Sequence, residues 1–131
     1  MRLNQASDFA LRILMLLARE KQPLTVEVIA EKLNLAKSHT MKIVAKLVKV
    51  EILLSHRGRH GGISLALPPE DIHVGEVVRV IEQDFAMVEC MQAGKQTCLF
   101  LPQCKLKGLM HEARSAFLTV LDKQTLAAIM P

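Results

Sequence analysis

The sequence predicts a mainly α-helical protein that contains a winged helix-turn-helix with a small β-hairpin wing, followed by a long C-terminal dimerisation helix. Three observations predict this fold class. Apolar residues recur with helical spacing in several segments, two short strand-like runs flank a glycine-rich basic turn within residues 52–67, and an apolar stripe occupies residues 106–121. Half of the 131 residues are hydrophobic, which suffices for the aliphatic core of one domain.

The first three predicted helices form the helix-turn-helix. The first is expected from Ser7 or Asp8 to about Glu20, with Ser7 as its N-cap. The second follows the N-cap Thr25 and ends at Asn34, because asparagine tolerates the left-handed conformation that follows a helix. The third is expected over residues 36–50, and its predicted inward positions are Met41, Val44, Ala45, Leu47 and Val48.

The segment after the third helix is predicted to form the wing. Residues 52–55 and 63–67 would pair as two strands across the turn at 57–62, which is rich in glycine. A short helix is then expected from Val74 to about Glu82, and a long one from about Gln103 to Asp122. The apolar stripe of that long helix could pack on the chain itself or on a second copy.

Positive charge is concentrated in the predicted helix-turn-helix and wing. The formal net charge is +4, and residues 37–62 hold six Lys/Arg against Glu51 alone. Such a basic stripe indicates a phosphate-binding surface, although a solvated helix face would have the same composition. In a helix that enters the major groove of DNA, residues of the first turn reach bases and flanking phosphates. The candidate DNA-binding residues are Lys37, Ser38, His39 and Lys42 in the helix, with Arg57, Arg59 and His60 in the wing.

All three cysteines lie in one predicted loop, at Cys90, Cys98 and Cys104. Their odd number means that disulfides within the chain cannot use all of them. The sequence shows no signal peptide and no membrane span, so a cytoplasmic, reducing location with free thiols is expected. Thiolates are soft ligands for iron–sulfur clusters and for zinc. Metal ligation is therefore one explanation for the grouping of the three cysteines, and simple packing is another.

The motifs of the common enzyme classes do not occur in the sequence. There is no C-x-x-C pair, no glycine-rich cofactor loop after a predicted strand, and no set of residues for a Ser-His-Asp triad. The chain is therefore predicted not to be an enzyme. A winged-helix module that contacts only other proteins remains an alternative, and sequence preference in DNA binding would distinguish the two.

Five segments together resemble a known family. They are "MRLNQASDFALR", "KSHTMKIVAKL", "RGRHGGISLALP", "VGEVVRVIE" and the three cysteines, and they follow in the family's order. The chain resembles the Rrf2 family of bacterial winged-helix regulators, many of which carry iron–sulfur clusters. The resemblance implies a homodimeric repressor that binds a palindromic site in double-stranded DNA. It implies a DNA-binding region at residues 1–75 and a cluster loop with dimerisation helix at 76–131, within one compact domain.

The details of the resemblance favour one kind of cluster and signal. Members that hold a 2Fe–2S cluster have a histidine three residues after the last cysteine, where this chain has Lys107. Nitric oxide-sensing members hold a 4Fe–4S cluster with three cysteines and, in some, an aspartate of the partner's first helix, where this chain has Asp8. The resemblance thus implies Cys90, Cys98, Cys104 and Asp8 as cluster ligands. An iron-responsive repressor is the alternative, because "FAMVEC" resembles those members.

Overall fold

The computed structural model describes residues 2–94 and 97–131, and its helices and strands follow the predicted order. Lys95 and Gln96, in the cysteine loop, and Met1 lie outside the described residues. Within the described chain, no helix is both long and apolar enough to cross a membrane. The elements are α1 (Gln5–Glu20), α2 (Val26–Leu33), α3 (Lys37–Lys49), β1 (Leu53–His56), β2 (Gly62–Leu65), α4 (Val74–Ile81), α5 (Lys105–Asp122) and α6 (Leu126–Ile129).

The caps of α2 are those that the sequence predicted. The Thr25 hydroxyl accepts a hydrogen bond from the Val28 N–H at 3.3 Å, and Asn34 ends the helix in the left-handed conformation at φ 52°. Both residues use local hydrogen bonding or conformational freedom, which sequence analysis can recognise.

The predicted N-cap of α1 was wrong. Asn4 is the cap, and its side-chain oxygen accepts from the Ser7 N–H at 2.7 Å. Ser7 is buried instead, and its hydroxyl donates to the Glu82 carboxylate at 2.7 Å. The start of α1 is therefore joined to the end of α4, immediately before the cysteine loop begins.

The core is aliphatic and lies where α1, α3 and α4 meet beneath the wing. Each of these helices presents branched apolar side chains at helical spacing, so one face of each is removed from water. The largest fully buried apolar side chains are Ile13, Leu14, Ile29, Leu47, Leu53, Ile72, Val77, Val78, Ile81 and Leu126.

Two of the inward positions predicted for α3 were wrong. Met41 is 52% exposed and Ala45 is also exposed. Ile43 and Thr40 are buried in their place, and the Thr40 hydroxyl donates to the Ala36 carbonyl at 3.0 Å. That bond satisfies the buried hydroxyl, so a polar residue occupies a core position at little cost.

The wing is a two-stranded antiparallel hairpin in which Leu53 pairs with Leu65 and His56 with Gly62. The turn end of β2 is held to the segment between α1 and α2 by a β-bridge. The Leu24 N–H donates to the Ile63 carbonyl at 3.0 Å, and the Ile63 N–H donates to the Leu24 carbonyl at 2.7 Å. Gly62 has φ 150°, and a Cβ there would lie 2.8 Å from the Leu24 carbonyl, so this close approach requires glycine.

The long helix α5 confirms the predicted helical segment but contributes no buried residue. Its C-terminal end is fixed to α4, where Arg79 pairs with the Asp122 carboxylate and its Nη2 lies 2.7 Å from Oδ2. A short helix, α6, follows and was not predicted. The Leu126 N–H donates to the Ile72 carbonyl at 2.7 Å, which returns the chain to the core.

Candidate functional site

The outer face of α3 carries the basic residues predicted to bind DNA. Lys37, Ser38 and Lys42 are exposed, while His39 is half-buried. The N-terminus of α3 follows Ala36, which provides no side-chain cap. The first-turn N–H groups therefore lack a side-chain acceptor, and such groups bind phosphate oxygens well.

Lys37 forms an ion pair with a residue of the preceding helix. Its ammonium lies 2.6 Å from the Glu27 carboxylate, and both side chains are more than half exposed. The hydrogen bond from Lys37 lowers the pKa of the Glu27 carboxyl from its ordinary value, because it favours the charged carboxylate. Any phosphate contact by Lys37 must compete with this carboxylate.

A series of contacts leads from α1 to His39 in α3. The His39 ring meets Phe9 edge-on, with 5.4 Å between the ring centroids. The Arg12 guanidinium lies 5.9 Å from the centroid of the same Phe9 ring. Arg12 also donates to both carboxylate oxygens of Asp8. The predicted cluster ligand Asp8 is thus connected, through two side chains of α1, to a predicted base-reading residue.

The wing presents its three predicted DNA-binding residues at the tip. Arg57, Arg59 and His60 are all exposed in the turn between the strands. Below them, the His56 Nε2 and the Ser64 hydroxyl lie 2.7 Å apart and join the two strands. The charges are therefore displayed on a hairpin that its own side chains and the Leu24 bridge hold in place.

The three cysteines are free thiols in the loop between α4 and α5. Cys90 and Cys104 are half-buried, and Cys98 is exposed. Cys90 and Cys98 line a cavity of about 390 Å³ together with neighbouring loop residues. Cys104 directly precedes α5 at its N-cap position. Neither Cys104 nor Asp8 lines that cavity.

The cysteine loop supplies suitable ligands for an iron–sulfur cluster, but they are not arranged as a finished site. Three free thiols on one irregular segment match the thiolate preference of such clusters. Among the described residues, however, no three His, Cys, Asp or Glu side chains are grouped as metal ligands. Of the four predicted ligands, Cys90 and Cys98 line the same cavity, and Cys104 and Asp8 do not.

Comparison with known proteins now decides the family. The sequence model of Rrf2, described as "Iron-dependent Transcriptional regulator", matches residues 3–131. The chain belongs to the Rrf2 family. It is 44% identical over 128 residues to the HTH-type transcriptional regulator NsrR of Bacillus subtilis, covering 96% of this chain and 88% of that protein. NsrR of Bacillus licheniformis is 40% identical, with 99% and 92% covered.

Solved structures of Rrf2 regulators have the same fold. CymR, the global cysteine regulator of B. subtilis, superposes with a TM-score of 0.80 at 26% identity, covering 98% of this chain and 95% of that one. The predicted family and winged helix-turn-helix are therefore confirmed. This Rrf2 protein is a DNA-binding transcriptional regulator and not an enzyme, as predicted.

Sequence analysis of this Rrf2 chain missed several residues at the candidate site. Glu82 bonds Ser7 and also accepts from the Asn4 N–H at 3.3 Å, so it joins α1 to the cysteine loop. Leu99 and Phe100, between two cysteines, are 89% and 71% exposed. The Glu82 contacts span more than 70 residues and have no local signature. The apolar pair beside Cys98 is a signal that could have been noticed.

Proposed function

We propose that this Rrf2 protein is a transcriptional repressor that senses nitric oxide through a 4Fe–4S cluster held by Cys90, Cys98 and Cys104, with Asp8 supplied by the partner subunit. The observation that carries the proposal is the set of three free thiols in one loop that follows Glu82, the residue bonded to the start of α1. Asp8 lies in that first turn of α1. The identity with NsrR proteins supports the same assignment.

The proposed DNA interface combines α3 with the wing. Lys37 and Ser38 contact phosphates at the N-terminus of α3, and His39 and Lys42 reach base edges in the major groove. A second group, at the wing tip, enters the adjacent minor groove or grips its backbone. That group comprises Arg57, Arg59 and His60.

A homodimer would cover the apolar side of α5 and place two copies of α3 on a palindromic operator. Leu106, Leu109 and Val120 are each more than half exposed and recur along one side of the helix. An apolar stripe of this kind is unusual on a helix that faces only water. Its spacing suits antiparallel or parallel packing against the same helix of a second chain.

The ligands have different chemical characters, and this difference suits a sensor. When bound, the cluster would supply iron that can react with nitric oxide. The thiolates of Cys90, Cys98 and Cys104 would hold the group to one chain, while Asp8 of the other chain would be the more exchangeable ligand. The exposed side chains of Leu99 and Phe100 would shield the loop once a second chain covers them.

Signal transfer to DNA follows the contacts of Asp8. If Asp8 bound the partner's cluster, its carboxylate would be less available to Arg12. If that bond were lost, the carboxylate would pair fully with Arg12, whose guanidinium lies beside Phe9. Phe9 contacts His39 in the first turn of α3. The position of α3, and with it the spacing of the two recognition helices, would therefore depend on the partner of Asp8.

The test is anaerobic purification of the full chain, followed by absorbance and native mass spectrometry during addition of nitric oxide. We expect a 4Fe–4S mass that is lost stepwise, with DNA affinity lost in parallel. Equal affinity of the untreated and treated forms for the same DNA would refute the proposal, and so would a colourless protein that holds zinc or no metal.

An iron-responsive repressor is the second candidate, favoured by the family's description as iron-dependent. It uses the same cysteines and the same DNA interface, but its signal is the supply of iron. In the same experiment its cluster would persist in nitric oxide and be lost to an iron chelator. That outcome would select this candidate over the nitric oxide sensor.

A further inference from the structure

Two apolar side chains lie on the exposed side of α3, among the lysines. Met41 is 52% exposed and Ala45 is exposed beside it. The core side of the same helix is occupied by Ile43 and Leu47, which are 2% and 0% exposed. The core therefore does not explain the apolar side chain of Met41, while Ala45 at least favours the helix.

These two residues share a helix face with Ser38. Positions 38, 41 and 45 are separated by three and four residues, so their side chains stand one above another along α3. Seven residues of helix rise by about 10 Å, which is the length of about three base steps. Lys42 and Lys49, both exposed, lie along the neighbouring side of the helix.

An apolar side chain gains nothing from a phosphate, so on a helix facing DNA it is useful only at base edges. The one apolar group in the major groove is the C5-methyl of thymine. We propose that Met41 and Ala45 read thymine methyl groups and so help to determine which operator this protein binds. The inference rests on the proposed placement of α3 in the major groove, and it adds residues to the lysine, histidine and serine contacts.

The size of the effect follows from the area of one methyl group. Burying one methyl against an apolar surface should tighten binding about fourfold. Uracil differs from thymine only by lacking this methyl, and it keeps every hydrogen-bonding group and the base pair. Replacing single thymines by uracil in an operator therefore isolates the proposed contact.

The experiment begins with the full chain, purified anaerobically, which selects its binding site from random double-stranded DNA. The selected site is then synthesised with uracil at each thymine in turn, and affinities are measured by gel shift. We expect one or two positions in each half-site to lose about fourfold in affinity with the wild-type protein. Met41→Gln and Ala45→Ser should each abolish that loss at one position, whereas the control Met41→Leu should retain it.

The outcomes separate this inference from the function on which it rests. An enriched site that binds equally well with thymine or uracil at every position would overturn this inference alone. So would a uracil effect that both polar variants retain, provided that circular dichroism shows them folded like the wild type. Selection that enriches no sequence would overturn the proposed operator recognition and this inference together.

Discussion

Arg12 donates to both carboxylate oxygens of Asp8, from Nε at 3.0 Å and from Nη2 at 2.7 Å. The two residues lie one helical turn apart on α1, and both are about half exposed. A bidentate guanidinium–carboxylate pair is among the stronger polar contacts of a protein surface. If Asp8 is a cluster ligand, Arg12 is its competitor for the carboxylate.

Replacing Arg12 by alanine should therefore slow loss of the cluster. The carboxylate of Asp8 would have no alternative partner in α1, so its bond to the partner's cluster would reform more often than it does in the wild type. The measurement is the decay of cluster absorbance under limiting nitric oxide. Arg19→Ala is the control, since Arg19 is also exposed on α1 and forms no ion pair within the described residues. Equal decay in Arg12→Ala and Arg19→Ala would contradict the competition.

Replacing Glu27 by glutamine should strengthen DNA binding. Glu27 holds Lys37 at 2.6 Å and places a negative charge beside the DNA interface. Without that charge, Lys37 is free for phosphate, so we expect roughly two- to fivefold tighter binding and a salt slope steeper by up to about one. Affinity measured over a range of salt concentrations tests this. Glu31→Gln removes a charge from the same helix without touching Lys37. An equal gain in DNA affinity in Glu31→Gln would show that the Glu27–Lys37 ion pair is not the cause.

The Arg79–Asp122 pair should give the stability of the protein a specific dependence on pH. The hydrogen bond from Arg79 lowers the pKa of the Asp122 carboxyl below its ordinary value of 3.8. The contribution is therefore complete above that value and is lost as the pH falls through the lower folded-state pKa. Asp122→Asn should be slightly less stable to urea at pH 7, and the difference should shrink in strong acid. A difference that grows on acidification would contradict this reasoning.

Gly75 and Gly108 should respond oppositely to alanine. A Cβ at Gly75 would meet the Asp122 carboxylate and lie 2.9 Å from its backbone nitrogen, whereas nothing lies within 4 Å of one at Gly108. Gly75→Ala should lower the free energy of unfolding by roughly 1–3 kcal/mol. Gly108→Ala should raise it by roughly 0.5–1 kcal/mol, because alanine favours helix. Urea unfolding of both variants tests these two predictions. A stabilised Gly75→Ala would show that the contact between α4 and α5 has room for the added methyl group.

A charge in the apolar stripe of α5 should disrupt the proposed dimer. Leu109 is 56% exposed in a single chain, and burial between two chains would make a glutamate there costly. Leu109→Glu should sediment as a monomer at concentrations where the wild type is dimeric. Ser115→Glu adds the same charge on another side of the helix. It should remain dimeric, and dissociation of both variants, or of neither, would argue against this face.

The parts of the fold that the sequence predicted depend on neighbours in the chain. Thr25 and Asn34 mark the ends of α2 because a side chain of each type satisfies or tolerates the backbone geometry there. The error at Ser7 arose from Glu82, a partner 75 residues away. The error at Met41 arose because an apolar residue was assumed to face the core, while Thr40 can be buried once its hydroxyl is bonded.

In the candidate site too, local features could be predicted from the sequence and distant contacts could not. The basic residues of α3 and the wing could be predicted, because charge and helical spacing place them on the surface without any distant contact. The placement of Cys104 outside the cavity that Cys90 and Cys98 line could not be predicted, because the spacing of three cysteines does not specify the path of the loop between them. In the proposed site, a bound cluster would bring the thiolates together, so that arrangement would not be encoded by the polypeptide alone.

The bridge between Leu24 and Ile63 limits how the wing can move relative to α1 and α3. It ties the hairpin to the segment that leaves α1, and the aliphatic core ties α3 to the same helix. We therefore expect the hairpin and α3 to move together with α1 in any rearrangement of the protein. Spin labels at the hairpin tip and on α3 of one chain should keep their separation through the signal, while the separation between equivalent labels on two chains should change. In the proposed dimer, that result would place the movement at the contact between the two chains.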